Sequence, residues 1–203
     1  RPVIVSTAVG RGFKGQSASA SEIKPGDAIL MTKTAGIEGT GIIACDYEEE
    51  LREVLSGEEL EHAKSLLSKV SVVKDGIIAG RIGTHGMHDV TEGGILGAVW
   101  EMCSIAGTGA RLDAEAIPAD DVTRRICEHY DINMLRLISS GSMLIMTEED
   151  KKEEIIRELA AQGIPAAQIG KIVPKEEGLS ICEGGKQTQI GPPGPDELYK
   201  IVK

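Results

Sequence analysis

The sequence predicts an α/β (α+β) fold in which helices pack on a mixed β-sheet. Three observations support this prediction. Aromatic residues make up only 2% of the chain, whereas the strands of β-sandwiches usually depend on aromatic side chains. Short apolar runs typical of buried strands alternate with segments of helical periodicity. The 203 residues are 41% hydrophobic, which is enough for the core of one large domain or two small ones.

The first half of the chain predicts two strands and two helices. Residues 25–32, PGDAILMT, are a turn followed by a buried strand, and residues 86–90 are a short strand. Ser56 and Glu59 have the spacing of a capping box, which begins a helix. The predicted buried face of that helix contains Leu60, Ala63, Leu67 and Val70. A second helix follows Gly93 and is apolar on most sides, which predicts that it is buried.

The second half predicts further strands and helices. Residues 109–118 alternate like a strand, Asp120 or Asp121 caps the next helix, and residues 142–146 are another buried strand. Thr147 and Asp150 are predicted to cap a helix that ends at Gly163. The predicted inward side chains of that helix are Ile155, Ile156, Leu159 and Ala160. Residues 179–182 and 186–190 are strands joined by a hairpin turn at residues 183–185, and a last helical turn closes the chain.

The composition argues against several classes of protein. The net charge is −10 and no basic cluster occurs, so nucleic acid is not an expected partner. No apolar run approaches the roughly 20 residues that span a bilayer, and the first residues do not resemble a secretory signal. The four cysteines are far apart without a C-x-x-C pair, which favours reduced thiols over disulfides. We therefore expect a cytoplasmic protein without membrane contact.

The chain divides into two predicted parts. Residues 1–20 contain a strand, PVIVSTAV, followed by a segment rich in glycine and serine. We expect this terminal strand and linker to belong to a different, N-terminal domain. Residues 21–203 show no repeat, low-complexity tract or internal linker, and they are predicted to form one domain.

A glycine pair follows the densest group of reactive side chains. His88, Asp89 and Thr91 precede Gly93 and Gly94, and the buried helix begins there. The free amides of a first helical turn and the helix dipole attract phosphate or carboxylate groups. Thr91, Gly93 and Gly94 are therefore candidate anion-binding residues, and His88 and Asp89 are candidates for proton handling. Equally, Thr91 could only cap the helix while the glycines only allow close packing.

A second glycine segment repeats this pattern. Lys33 follows the strand of residues 25–32, and Gly36 and Gly39 come before the next predicted helix. Lys33 and the loop amides are candidate ligands for another part of an anionic substrate. The segment is not a Walker loop, because the lysine precedes the glycines. His85 and His88 are not favoured as a metal pair, since residues three apart on a strand face opposite sides of the sheet.

The order of three motifs resembles a known domain. PGDAILMTKTAGIEGTG, HDVTEGGILGAVWEM and SSGSMLI are similar to the C-terminal domain of the aminoimidazole ribonucleotide synthetase superfamily. Its members include the cyclo-ligase, selenophosphate synthetase, thiamine-phosphate kinase and a hydrogenase maturation factor, and the resemblance is greatest to paralogues of that factor. Asp89, Thr91, Gly93 and Gly94 match the family motif, while Lys33, Gly36 and Gly39 match its first glycine loop.

The resemblance implies an ATP-dependent enzyme that phosphorylates an oxygen acceptor to activate it. It further implies a homodimer. An N-terminal domain would make most of the contacts to ATP and Mg²⁺, and the C-terminal domain would contact a small anionic substrate or a nucleotide phosphate. This chain alone is then expected to be inactive and to need no metal for folding. The maturation factor ends in a reactive cysteine, whereas this chain ends in DELYKIVK. That difference leaves open a non-catalytic binding or maturation-accessory module of the same fold.

Overall fold

The computed structural model describes residues 19–202 together with residues 3, 5–7 and 9. Strands and helices alternate along the described chain. The strands are β1 (Ala28–Thr32), β2 (Gly86–Asp89), β3 (Gly109–Asp113), β4 (Met143–Thr147), β5 (Ala166–Val173), β6 (Leu179–Glu183) and β7 (Lys186–Gln189). The helices are α1 (Ile37–Asp46), α2 (Glu48–Leu51), α3 (Gly57–Ser65), α4 (Val73–Ile82), α5 (Gly94–Ala106), α6 (Asp121–His129) and α7 (Lys152–Ala161).

All seven strands form one sheet in the order β2-β4-β1-β5-β3-β6-β7. The β3–β6 pair is parallel and the other neighbours are antiparallel. The mixed sheet predicted from the sequence is therefore confirmed. Strand β5 pairs with both β1 and β3 in the middle of the sheet, although the sequence pattern gave no prediction for that segment.

Helices cover both faces of the sheet. On β1, Ile29 and Met31 belong to the core cluster that includes α5, whereas Ala28 and Leu30 belong to the cluster that includes α4 and α7. This division follows from the two-residue period of a strand, which sends alternate side chains to opposite faces. A third cluster is built mainly from the apolar faces of α1, α3 and α6.

Several local predictions are confirmed. Ser56 and Glu59 form the capping box of α3, and Asp120 rather than Asp121 caps α6. Helix α5 follows Gly93 with most of its side chains buried. Strands β6 and β7 pair antiparallel as the predicted hairpin. Gly163 adopts a left-handed φ of 73° just after α7, as expected of a residue that ends a helix.

Three local predictions are wrong. Ala160 of α7 was predicted to face inward but is exposed. Val70 is 40% exposed, because α3 ends at Ser65 and continues as a 3₁₀ turn that buries Leu66 instead of Leu67. Thr147 does not cap α7, since it is the last residue of β4 and its hydroxyl donates to the carbonyl of Gly83 at 3.2 Å. Helix α7 begins only at residue 152 and has no side-chain cap.

The predicted N-terminal strand lies partly outside the described residues. Those of its residues that the structure describes, at positions 3, 5–7 and 9, belong to no strand. Val3, Val5 and Val9 are each at least 85% exposed. None of the helices within the described residues is long and apolar enough to cross a bilayer.

Candidate functional site

The two predicted glycine segments meet at one end of the sheet. Thr32 ends β1 and Asp89 ends β2, while β4, which lies between these strands, starts there at Met143. The turn at residues 139–142 leads into β4, and its Ser142 carbonyl accepts a hydrogen bond from Val90 at 2.9 Å. Because β1 and β2 both pair with β4, Lys33 and the segment after Asp89 are held on either side of the same turn.

The ammonium of Lys33 is held by three oxygens. It donates to the carbonyl of Gly141 at 2.6 Å, to Asp75 Oδ1 at 2.8 Å and to the carbonyl of Ser71 at 3.1 Å. The side chain of Asp75 is 1% exposed and that of Lys33 is 15% exposed. Since a lysine has three N–H donors, all are engaged in this geometry. A ligand that bonds to Lys33 must displace one of these oxygens, and the Ser71 carbonyl has the longest contact.

Gly36 and Gly39 hold helix α1 against the turn at residues 139–142. Gly36 has a left-handed φ of 68°, and its amide donates to Ser139 Oγ at 2.8 Å. Gly39 lies inside α1, so the first glycine loop is shorter than expected. Its amide donates to the Ile138 carbonyl at 3.0 Å, and a Cβ added to it would come within 2.5 Å of Leu137. Both glycines therefore allow close packing in this structure.

A carboxylate of the chain itself occupies the beginning of α5. The amide of Gly93 donates to Asp196 Oδ2 at 2.7 Å. The other carboxylate oxygen of Asp196 accepts from the amides of Leu198 at 2.9 Å and Ile138 at 3.1 Å. Asp196 is only 4% exposed. The helix terminus thus attracts an anion as expected, but the anion comes from the C-terminal segment.

Gly94 and Thr91 complete this turn. Gly94 has a φ of 61°, and a Cβ there would lie 2.6 Å from the Leu135 carbonyl oxygen. The carbonyl of Thr91 accepts from the Gly94 amide at 3.1 Å, whereas no side chain caps α5. The packing interpretation of the glycine pair therefore fits the structure, whereas the alternative in which Thr91 caps the helix does not.

His88 and Asp89 lie at the end of β2. Glu101 Oε2 of α5 is 3.1 Å from His88 Nε2, and the other ring nitrogen contacts the backbone carbonyl of Asp89. The imidazole is therefore oriented at both nitrogens. The side chain of Asp89 is 56% exposed and lies 3.9 Å from His88 Nδ1. This pair is accessible, but neither residue lines any of the four cavities of about 400–500 Å³ among the described residues.

A cavity of about 480 Å³ opens beside Lys33. Its charged lining residues are Lys33, Lys69, Lys74, Asp75 and Asp120. Lys69 and Lys74 make no ion pair with another described residue, while Asp75 is bonded to Lys33 and Asp120 to His62 at 2.7 Å. Two ammonium groups that make no ion pair within the described residues therefore stand at a cavity whose carboxylates already have hydrogen-bond partners. Sequence reasoning identified Lys33 but missed Lys69, Lys74 and Asp75. Lys69 lies at the end of a predicted helix with no local signal of a site, and residues 71–82, which contain Lys74 and Asp75, showed no recognisable element.

Sequence reasoning also missed a polar cluster at the opposite end of the same strands. His85 Nδ1 lies 2.8 Å from Asp27 Oδ2, and Asp27 is 2% exposed. Glu148 is 3.6 Å from the other ring nitrogen of His85. Contacts with Lys24 and Lys151 lower the pKa of Glu148 to about 2. The P-G-D sequence before β1 was the available signal, but it indicated only a turn.

The described residues do not supply an evident metal centre. No group of three or more histidine, cysteine, aspartate or glutamate side chains within them is placed to hold a metal ion. The four cysteines are free thiols, with Cys103 and Cys127 buried. Burial and the charge of Glu197 raise the pKa of Cys127 to about 12, so this thiol is not activated as a nucleophile.

Comparison with known proteins identifies the family of the chain. Residues 24–182 match the family described as "AIR synthase related protein, C-terminal domain". A carbamoyl dehydratase HypE of Rhizobium leguminosarum bv. viciae is 26% identical over 179 residues, which are 84% of this chain and 48% of the relative. The chain thus spans about half the length of this curated relative.

Solved structures show the same relationship. The crystal structure of Escherichia coli HypE, a hydrogenase maturation protein, matches 91% of this chain and 55% of its own with a TM-score of 0.73 and 25% identity. A HypE in complex with ATP matches the same shares with a TM-score of 0.65 and 20% identity, which supports the fold alone. The family match covers most of the chain, and the chain therefore belongs to the AIR synthase related family as a C-terminal domain.

Proposed function

We propose that this chain is the substrate- and phosphate-contacting domain of an ATP-dependent enzyme that phosphorylates an oxygen acceptor to activate it. The observation that supports the proposal most is the cavity beside Lys33, at the end of the sheet where both predicted segments meet. Two unpaired lysines at its edge can attract an anionic substrate or a transferring phosphoryl group. The proposed enzyme works as a cytoplasmic homodimer, without a membrane or a nucleic acid as partner.

The structure suggests different roles for the three lysines. Lys69 and Lys74 are exposed and unpaired among the described residues, so they are free to meet the anion. Lys33 is fixed by Asp75 and two carbonyls, which places its charge before the substrate arrives. Such a preorganised charge needs little rearrangement in the transition state. Lys33 bonds directly to the anion only if the Ser71 carbonyl gives way.

The remaining predicted residues support the site in this proposal. Gly36 and Gly39 hold α1 against residues 137–139, while Gly93 and Gly94 hold the beginning of α5 against Asp196 and residues 135–137. Thr91 lies in the turn that precedes α5. His88, oriented by Glu101, and Asp89 are the candidates for proton handling. Mg²⁺-ATP would be held mainly by a further domain of the intact protein and would supply the phosphoryl group.

ATP turnover by the whole protein that contains this chain tests the proposal. We expect ADP formation by the whole protein and none by residues 1–203 alone. The double variant K69Q/K74Q should lower kcat/KM about tenfold or more, because it removes two charges from the cavity. The control K186Q removes an exposed, unpaired lysine of β7 and should leave turnover unchanged. Equal loss in K69Q/K74Q and K186Q would remove the cavity from the mechanism.

One observation favours the second candidate, a non-catalytic binding or maturation-accessory module. The Asp196 carboxylate already accepts the hydrogen bond of the Gly93 amide, which was expected to bind the anion of an active enzyme. A folded whole protein that binds ATP weakly or not at all, and that forms no ADP, would support the module over the enzyme. ATP hydrolysis by the 203-residue chain alone would contradict both candidates, because each requires this chain to be inactive by itself.

A further inference from the structure

Asp120 carries a carboxylate that a molecule bound in the cavity beside Lys33 can reach. The two carboxylates that line this cavity are those of Asp75 and Asp120. The side chain of Asp75 is 1% exposed and is bonded to Lys33. The side chain of Asp120 is 21% exposed and makes no ion pair with a lysine among the described residues. Asp120 is therefore the accessible acid of the cavity.

The first glycine loop brings Asp120 to this position. Ala35 pairs with Ala119 in an isolated parallel bridge, and the Ala35 amide donates to the Pro118 carbonyl at 2.8 Å. This pairing fixes the segment before α6 beside the loop that starts at Lys33. Asp120 follows directly as the N-cap residue of α6.

Both carboxylate oxygens of Asp120 are oriented but still have room for a ligand. Oδ1 accepts from the Val122 amide at 3.2 Å, as the cap of α6, and Oδ2 lies 2.7 Å from His62 Nε2. A carboxylate has about four positions at which it accepts a hydrogen, so about two remain. In the tautomer that carries its hydrogen on Nε2, His62 donates to Asp120 and fixes the direction of the carboxylate.

The transfer of a phosphoryl group to a hydroxyl needs a group that takes the hydroxyl proton. His88 and Asp89, which the sequence predicted for proton handling, line none of the four cavities among the described residues. Asp120 combines an accessible carboxylate with a fixed orientation, and it lies in the cavity whose lysines can attract the anion.

We propose that Asp120 accepts the proton of a hydroxyl compound bound beside Lys33, and that His62 is the positioning residue that orients the carboxylate. The inference rests on the function proposed above and specifies its acceptor as a hydroxyl. In this step the hydroxyl oxygen bonds to the γ-phosphorus of ATP. The bond from that phosphorus to the bridging oxygen breaks, its electron pair leaves with ADP, and the hydroxyl proton moves to Asp120.

ADP formation by the whole protein, with water in place of the hydroxyl compound, tests the role of Asp120. D120N should lower kcat about 100-fold or more and leave the KM for ATP within about twofold, because an amide cannot take the proton. Asn caps a helix as well as Asp does, so α6 should stay folded. If thermal unfolding nevertheless shows D120N to be unstable, D120S also caps the helix without a carboxylate and replaces it.

D113N is the matched control for Asp120. Asp113 caps the 3₁₀ turn Ala114–Ala116 by accepting from the Glu115 amide at 3.1 Å, and it lines none of the four cavities. The control therefore makes the same chemical change at another capping aspartate and should leave kcat unchanged.

A second pair of variants tests His62. H62Q should lower kcat by about tenfold or more with the KM for ATP unchanged, since the carboxylate loses its fixed direction. H129Q is the control, because His129 Nε2 lies 3.5 Å from Glu50 in another histidine–carboxylate pair, outside the four cavities. Its kcat should stay unchanged.

The outcomes distinguish this inference from the proposed function. If D120N keeps a kcat within about threefold of that of D113N, or changes the KM alone, Asp120 does not accept the proton, while the proposed function stands. Equal loss of kcat in H62Q and H129Q would remove His62 from its positioning role. If the unmodified whole protein forms no ADP, the proposed function and this inference both fail.

Discussion

Asp196 connects the C-terminal segment to the beginning of α5. Its two carboxylate oxygens accept three backbone N–H bonds, from Gly93, Ile138 and Leu198, although the side chain is 4% exposed. Bonds from several amides to one buried carboxylate are stronger than neutral hydrogen bonds, and the dipole of α5 adds to them. The residue therefore joins three separate stretches of the chain.

Replacing Asp196 tests this interpretation. Asn keeps the shape but directs an NH₂ group toward N–H donors, so D196N should lower the free energy of unfolding by about 2–3 kcal/mol. Urea denaturation measures the change. D131N is the matched control, because Asp131 is exposed and makes no side-chain hydrogen bond with the described residues. If D196N were as stable as D131N, the Asp196 carboxylate would contribute little to holding the three stretches of chain together.

Cys127 permits a prediction about pH. Burial is the main cause that raises its pKa from 9.0 to about 12, so at pH 8 only about one native molecule in 10,000 carries the thiolate. Exposed Cys45 should react with a thiol reagent directly, whereas Cys127 should react only as fast as the protein unfolds. Labelling at Cys127 as rapid as at Cys45 in the folded protein would contradict this account.

The same shift affects stability at high pH. Well below pH 9 the thiol is protonated in both the folded and the unfolded state. Between pH 9 and about 12 the unfolded chain releases the proton while the native state retains it, so the free energy of unfolding should fall as pH rises through this window. C127A should remove this part of the pH dependence, which denaturation at several pH values can measure.

Helix α5 depends on the backbone of its first residue. Gly94 combines a left-handed φ with a close approach to the carbonyls of Leu135 and Leu137. G94A should cost about 2 kcal/mol or more, since rigid backbone cannot move away from the added Cβ. G57A, at the open beginning of α3, has nothing within 4 Å of the new Cβ and should instead stabilise by about 0.4–1 kcal/mol.

The comparison of G94A with G57A decides whether the glycine pair is needed for packing. Equal thermal stability of the two variants would contradict the close contact. The geometry also affects the choice of functional variants. Gly93 has a φ of 80° and its added Cβ would approach Pro193 at 3.3 Å, so a bulky substitution there would disturb the fold together with any activity. Loss of activity in such a variant would not identify a ligand.

Elements with local signals were predictable from the sequence, and those formed by tertiary contacts were not. The capping box of α3 and the apolar period of α5 lie within one short window each. Helix α4 contains Gly76 and Gly80, and β5 contains Gly170, which weaken the pattern of each element. The glycine of β5 is needed because an added Cβ would lie 2.4 Å from the Arg111 carbonyl oxygen.

The candidate site was predictable to a similar extent. Lys33 and the glycine pair have local signatures, and the structure places both segments against the turn at residues 139–142. Their partners could not be found from local pattern, since Asp75 is 42 residues from Lys33 and Asp196 is 103 residues from Gly93. These distant partners bond to the Lys33 ammonium and the Gly93 amide, the two groups that the sequence predicted to bind a ligand.

At the scale of the whole molecule, the chain is the C-terminal domain of its family and spans about half the length of the curated relatives that it matches. The proposed activity therefore depends on how this domain presents an anion-binding surface to the rest of an enzyme. The structure favours the cavity beside Lys33 over the glycine turn, because two lysines there are unpaired among the described residues while the amide of Gly93 is bonded to Asp196.

The most direct test of this central claim is a titration of the chain with inorganic phosphate, followed by backbone amide NMR. We predict that the largest shift changes occur at Lys33, Thr34 and residues 68–75, and that K69Q/K74Q abolishes them while K186Q does not. Largest changes at residues 93–97, together with release of Asp196, would show that the glycine turn receives the anion and would contradict the account.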